Sequence, residues 1–428
     1  VWPKNQPYLG RPTGELKSML SSDTKFRFIP FRRVDIVEMC LRDGNLGEAQ
    51  NEFRQFAHML AQIFHFEFHG VLEALKDSYA DLDPDIDTRR VEIDTESEPQ
   101  PFVDLLDGLL EKANYERISE AELNQALNES SLFKIRLHVD FSDFAEVSMF
   151  ARGQSLRSET LPIWFGLRSR RIEFVNYDRV VVYLKIRDDY QSAVHEHSHC
   201  RAGATLLKLF RNVPRADLEM LFPNTSVRMR LMDKLFIGVP ALVSGGIVLS
   251  TKLGASLILL GSLFGYWLGW HDQPTELNQA RVMILLAGAA ALVGYLWKQF
   301  NSFKNRKIRF MQALTQNLYF RNLDNNAGVF HRLVNDAEDE ESKEALLAYY
   351  FLLESPIPLA RDELDRRIEA WFESNWDCRI DFEIEDALQK LCRLGLVEDS
   401  ADGLTAVDAT RAIRLLDQRW DNYFVPEN

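Results

Sequence analysis

Two stretches, LFIGVPALVSGGIVLSTKLGASLILLGSLFGYWLGW (235–270) and VMILLAGAAALVGYLW (282–297), limit what this chain can fold into more than any other feature. The first carries a single charge, Lys252, and the second carries none. A membrane span takes about 20 apolar residues, and a helix on the surface of a globular protein shows a polar face that these stretches lack. The expectation is an α+β integral membrane protein, with this region as its anchor.

A single helix over 235–270 would be about 54 Å long, against roughly 30 Å of hydrocarbon. The expected break is at Ser250-Thr251-Lys252. In one arrangement 253–270 and 279–297 form a two-span hairpin, and 235–250, interrupted by Pro240 and Gly245-Gly246, is a re-entrant or interfacial half-helix. In the other, all three segments span. Basic residues mark the side that is not translocated. Arg228, Arg230 and Lys234 precede the region, and Lys298, Lys304, Arg306, Lys307 and Arg309 follow it. The hairpin keeps all of these and Lys252 on one side, and leaves HDQPTELNQ (271–279) on the other. We therefore expect a helical hairpin in a bacterial or organellar inner membrane, its soluble parts on the cytoplasmic or matrix/stromal side.

The same region suggests two kinds of contact. Gly261, Gly265 and Gly269 recur every four residues, as do Ala287 and Ala291, with Gly294 close behind. Small residues at this spacing let helices approach closely in lipid. One such surface packs the hairpin on itself, and a second is free for another copy, so a homo-oligomer is expected. Lys304, Arg306, Lys307 and Arg309 suit anionic lipid headgroups, at about 1 kcal/mol per basic residue near the surface, and serve equally as a topology anchor. A channel or transporter is an alternative reading, weakened because no carboxylate or histidine lies in the apolar segments.

Outside the membrane region, residues 1–30 read as a Pro/Gly-punctuated surface segment, and 31–214 as a soluble α+β domain. Phe53, Phe56, Leu60, Phe64, Val71 and Leu75 give 46–80 one apolar helical face, and 102–127 continues the helical pattern. Alternation then points to strands at 132–139, 144–151, 171–176, 179–186 and 203–210, forming an antiparallel sheet. Residues 215–234 lead into the membrane region (235–298), and 299–342 is a basic, then Asn-rich connector. In 343–428, helices at 343–354, 361–375 and 382–394 precede a hairpin turning at Asp402-Gly403 and a helix at 408–423. That order is winged-helix-like. DNA binding would need a basic third helix, but Glu383, Glu385 and Asp386 open it, and 343–428 holds 10 Lys/Arg against 19 Asp/Glu. With 50 Lys+Arg against 64 Asp+Glu and a net charge of −14 overall, nucleic acid is excluded as a partner, and a protein partner is expected for 343–428.

The runs KNRKIRFMQALTQNLYFRNLDNNAGVFHRL (304–333), KEALLAYYFLL (343–353), FHFEFHGVLEALKDSYADLDPD (64–85) and KLFRNVPRADLEMLFPNTSVRMRLMDKLFIGVPA (208–241) resemble the transmembrane-protein-143-like family. The resemblance extends over most of the chain from about residue 26 and implies a membrane protein bearing a domain of unknown function. It brings no activity and no catalytic residues.

His195-Glu196-x-x-His199, within VHEHSHC, spells the H-E-x-x-H pattern in which two histidines bind zinc and a glutamate polarises the metal-bound water. Glu219, 20 residues after His199, is the candidate third ligand. The pattern needs a helix, whereas this stretch lies between two expected strands and lacks an apolar stripe, so a solvated loop is the reading adopted and a zinc-dependent hydrolase is kept as an alternative. His65 and His69 share an arc of the 46–80 helix and form a second candidate pair. They too read as solvated or hydrogen-bonding histidines, and no cofactor is expected. Four cysteines, Cys40, Cys200, Cys378 and Cys392, without C-x-x-C spacing, suit a reducing compartment. The sequence opens on Val1, so a preceding segment is expected and no leader is read. The function expected is that of a membrane-anchored interaction or scaffold protein.

Overall fold

The computed structural model describes residues 25–85, 101–128, 136–163, 168–190, 202–228, 254–268 and 278–424. The fold is α+β, with helices and antiparallel strands. Its helices are α1 (Arg33–Arg42), α2 (Gln50–Tyr79), α3 (Phe102–Lys112), α4 (Glu120–Asn128), α5 (Gly254–Trp267), α6 (Gln279–Arg321), α7 (Ala327–Glu354), α8 (Arg361–Trp376), α9 (Ile384–Arg393) and α10 (Ala409–Asn422). Its strands are β1 (Glu116–Arg117), β2 (Arg136–His138), β3 (Phe144–Ile163), β4 (Arg168–Ile186), β5 (Thr205–Pro214), β6 (Ser226–Arg228), β7 (Asn322–Asn325), β8 (Val397–Ser400) and β9 (Gly403–Ala406). Two compact units result: the described residues of Val1–Glu129, Asp140–Pro223 and Arg321–Asn428 make one, and those of Ser130–Val139 and Asn224–Phe320 make the other.

The first unit is built around a five-stranded antiparallel sheet in the order β1-β3-β4-β5-β7. In β4 the run Val180, Val181, Val182, Tyr183, Leu184 is wholly buried, so both faces of the strand are covered and its apolar residues need not alternate. Two expected strands, 171–176 and 179–186, are a single strand, and the one expected at 144–151 runs on to Ile163. Gly153 allows this. Its φ is +72°, and a Cβ there would come within 2.5 Å of Asp178 Oδ2 on the facing strand, so only glycine fits the close approach. The helical run expected over 102–127 is instead α3, β1 and α4. Asn114, with φ 56°, takes the left-handed conformation after α3, and Tyr115 N–H closes back on Leu110 O at 2.9 Å, which ends the helix.

α7 is the axis of this unit, and α1, α2, α3, α8 and α9 all pack on it. Aromatic pairs mark the contacts: Phe56 stacks on Tyr349 at 4.0 Å, Phe53 meets Tyr350 at 5.6 Å, and Phe330 meets both Tyr79 and Phe102. Each such fully buried aromatic contributes roughly 1.5–3 kcal/mol of burial free energy. The extended segment before α1 joins the far end of the chain, for Phe26 N–H donates to Arg379 O (2.9 Å) and Asp381 N–H donates to Phe26 O (2.7 Å). Helices α8, α9 and α10 and the β8–β9 hairpin fall close to the positions expected from the sequence.

In the second unit β2 pairs with β6, and Ser256 Oγ of α5 donates to Ile284 O of α6 at 2.8 Å. The segment expected as a half-helix, 235–250, lies outside the described residues. α5 spans 14 residues within the first expected span. α6 is 43 residues long, about 64 Å at the helical rise. Among the described residues its Gln279–Ser302 portion is the one helix long and apolar enough to cross a membrane. Most of the expected connector 299–342 is helical: α6 continues to Arg321, β7 follows as an edge strand of the sheet, and α7 begins at Ala327.

The joint between β7 and α7 is one residue, Asn326, held at φ 48°, ψ −127°. Its Oδ1 accepts from Tyr79 Oη (3.1 Å) and Leu207 N–H (3.2 Å), and its Nδ2 donates to Asp85 Oδ2 (2.5 Å). Replacing it with glycine relieves the backbone but loses these bonds, at about 2 kcal/mol for partners left buried. Alanine adds the backbone strain, about 1–2 kcal/mol more. Urea denaturation of the protein should therefore rank wild type above Asn326→Gly above Asn326→Ala. An alanine variant as stable as the glycine variant would show that the backbone angle carries no strain.

Candidate functional site

The chemistry-bearing centre of the first unit is a charged stretch of α7, Asp336-Ala-Glu-Asp-Glu-Glu-Ser-Lys-Glu344, which is buried except at the half-exposed Glu338 and Asp339. Burial of an unpaired ion is prohibitive, so each charge must find a counter-charge and hydrogen bonds. Glu340, fully buried, accepts from Arg152 Nη2 (2.6 Å), Lys343 Nζ (2.7 Å) and the backbone N–H of Ile29 (2.9 Å). Lys343 Nζ also donates to the carbonyls of Ile29 (2.9 Å) and Phe31 (3.3 Å). Asp336 accepts from Tyr115 Oη (3.2 Å) and from Arg179, with Arg152 Nη1 3.3 Å away. The Arg152 guanidinium also lies over the Phe28 ring at 4.6 Å, an arrangement that stabilises the cation.

One helical turn further, α9 supplies the counter-charge. Lys390 Nζ lies 2.7 Å from Glu341, 3.0 Å from Glu344 and 2.8 Å from Asp386. Asn114 Nδ2, at the bend that ends α3, donates to Glu344 Oε1 at 3.1 Å. Burial pushes the Glu344 carboxyl up to about 7, with Lys390 opposing the shift. Burial likewise raises Glu341, against the pull of Lys390. Burial disfavours the Lys390 ammonium, but Glu344, Glu341 and Asp386 outweigh it and hold the lysine well above its usual value. Both directions follow from one arrangement. Three carboxylates share one ammonium, so the lysine stays charged, and Glu344, on which burial weighs most, takes up a proton most readily.

Beside this cluster is a cavity of about 470 Å³ between α2 and α9. Phe64, Phe68 and Val71 give it an apolar wall, and Glu341, Asp386 and Lys390 line it together with Lys112, Glu67 and Arg393. The α2 and α9 contributors recur at i, i+3, i+4 and i+7, the spacing of one helix face in each case.

The residues singled out from the sequence lie elsewhere. His195, Glu196 and His199 are outside the described residues, as is Gly269. Glu219 is half-buried in the short turn Arg215–Leu221. His65 is exposed on α2 with its Nδ1 2.9 Å from Glu338 Oε2, and His69 is exposed one turn on. Among the described residues no group of three or more His, Cys, Asp or Glu is placed to hold a metal ion. Gly261 and Gly265 lie on α5, and Ala287, Ala291 and Gly294 on α6. A Cβ at Gly261 or Gly294 would meet no heavy atom within 4 Å, Ala287 is exposed and Ala291 is half-covered. Lys304, Arg306, Lys307 and Arg309 all lie on the C-terminal half of α6.

Residues 177–328 match a family model described as "Protein of unknown function (DUF3754)". The matched segment runs from within β4, through β5, α5 and α6, to the first residues of α7, and ends before the buried acidic stretch. No solved structure matches the chain.

The raised Glu344 carboxyl makes stability depend on pH. The folded state holds this proton up to about pH 7, whereas the unfolded chain releases it near 4.5. Its contribution to stability is therefore complete below 4.5 and lost as the pH rises to about 7. The stability difference between wild type and Glu344→Gln, from chemical denaturation at a series of pH values, should fall by on the order of 3 kcal/mol across that window. A difference that stays level or rises would contradict the assignment.

Proposed function

We propose that this chain is a membrane-anchored scaffold that self-associates, with its soluble unit presented on the cytoplasmic or matrix/stromal side of an inner membrane. The observation that carries this reading is the exposed apolar surface of α6. Met283, Leu286, Val293, Leu296, Trp297 and Phe300 are all more than half exposed on a helix that a watery setting would not leave bare. Lipid is the solvent such a surface suits. On this reading α5 and α6 belong to a two-span hairpin, Lys304, Arg306, Lys307 and Arg309 meet lipid headgroups, and the small-residue faces carrying Gly261 and Gly294 join copies of the chain. The β8–β9 hairpin with α8, α9 and α10 forms a winged-helix-like face for a protein partner, acidic enough to repel nucleic acid. The resemblance of 304–353 to the transmembrane-protein-143-like family supports the same reading.

Two measurements test it. Reporter fusions after Pro214 and after Asn428 should report the same side, and a cysteine in place of Thr275 should label from the other. Opposite sidedness of the two fusions would mean three spans. The detergent-solubilised mass by light scattering should exceed that of a monomer, and Gly261→Ile, at a position with open space around it, should lower it. A monomeric wild type, or a mass unmoved by the substitution, would remove the hairpin as the assembly surface.

A further inference from the structure

The cavity between α2 and α9 is electrostatically settled at one end and not at the other. At its rim Glu67 accepts from Arg393 (2.7 Å), Arg419 (3.3 Å) and Tyr423 (3.0 Å). At its inner end Glu341 shares the ammonium of Lys390 with Asp386 on the cavity wall and with Glu344, which does not line the cavity. Glu344 has a second donor in Asn114. Glu341, with 5% of its side chain exposed, has an Oε1 without a hydrogen-bond partner. A buried acceptor left in this state destabilises the fold unless something donates to it.

A cation already lies near this carboxylate without bonding to it. Lys112, exposed at the end of α3, holds its Nζ 5.7 Å from the centroid of the Phe68 ring and favours the charged form of Glu341. An ammonium on a flexible tether thus lies on an aromatic face beside the under-compensated carboxylates, a setting in which cations gain from both the ring and the nearby negative charge.

We propose that this cavity binds a small organic cation, a primary amine carrying an apolar body. Its ammonium takes the place of Lys112 Nζ over Phe68, next to Glu341 and Asp386, and its body lies along Phe64 and Val71. The volume of about 470 Å³ falls in the range of small-molecule sites, roughly 300–1,000 Å³. Lys112 is then a built-in competitor that swings outward when the amine enters.

The probe is 2-phenylethylamine, titrated calorimetrically into the full chain in detergent, with the neutral 2-phenylethanol as its shape-matched control. Saturable binding of the amine is expected, at least about tenfold tighter than the alcohol, the equivalent of 1.4 kcal/mol. Lys112→Met should tighten amine binding by up to about tenfold, and Glu341→Gln should weaken it by a similar factor. Because Glu341 is buried, Asp386→Asn, at a half-exposed side chain, provides a second variant that leaves the core in place and should also weaken the amine. Equal binding of amine and alcohol, weaker amine binding in Lys112→Met, or no saturable amine binding would each overturn the proposal.

Discussion

Four carboxylates buried on one helix, Asp336, Glu340, Glu341 and Glu344, set the terms for the rest of the first unit. Uncompensated, each would cost several kcal/mol, and α7 itself supplies only one buried cation, Lys343. The others must come from elsewhere in the chain: Arg152 from β3, Arg179 from β4 and Lys390 from α9. The backbone of residues 29–31 and the Asn114 side chain at the end of α3 complete the set. Segments hundreds of residues apart are thereby fixed to one helix. The apolar part of α7, with Tyr349 and Tyr350 against Phe56 and Phe53, provides the bulk of the burial. Ionic pairing then selects which segments meet where, because a pair broken on one side is strongly destabilising.

The same helix is the direct sequel of the apolar one. α6 ends at Arg321, four residues of β7 extend the sheet, and Asn326 turns the chain into α7. The proposed membrane region and the charged core are therefore neighbours in the chain, joined through β7 and Asn326.

Much of the local structure was legible in the sequence, and the reasons are physical. The long helix carrying Phe53 to Leu75 and the C-terminal helices with their Asp402-Gly403 turn are dictated by periodicity and turn chemistry, and both appear close to where these place them. Strand continuity through Gly153 was not legible, because a close approach to Asp178 on the facing strand is a tertiary fact. Composition marks 299–342 only as a basic, then Asn-rich connector, and does not reveal that α6 continues to Arg321 or that α7 begins at Ala327. The larger miss was the candidate site. An acidic run such as 336–344 reads as a solvated face, since charged residues are rarely buried unless paired. One signal was present: ALLAYYFLL (345–353) is apolar on every side, the mark of a helix enclosed all round, and the acidic run continues the same helix. The H-E-x-x-H pattern at 195–199 is legible because a motif is local, whereas Glu341, Lys390 and Lys112 meet only through the fold.

The central claim is that α7 binds both ends of the chain into one cooperative core. Native-state hydrogen exchange of the chain, followed by mass spectrometry under EX2 conditions with increasing denaturant, tests it most directly. The account predicts that peptides from α2, β4, α7 and α9 converge on one global opening free energy and lose protection together. Separate openings, with 361–424 exchanging at a distinctly lower free energy while α2 and β4 stay protected, would contradict it.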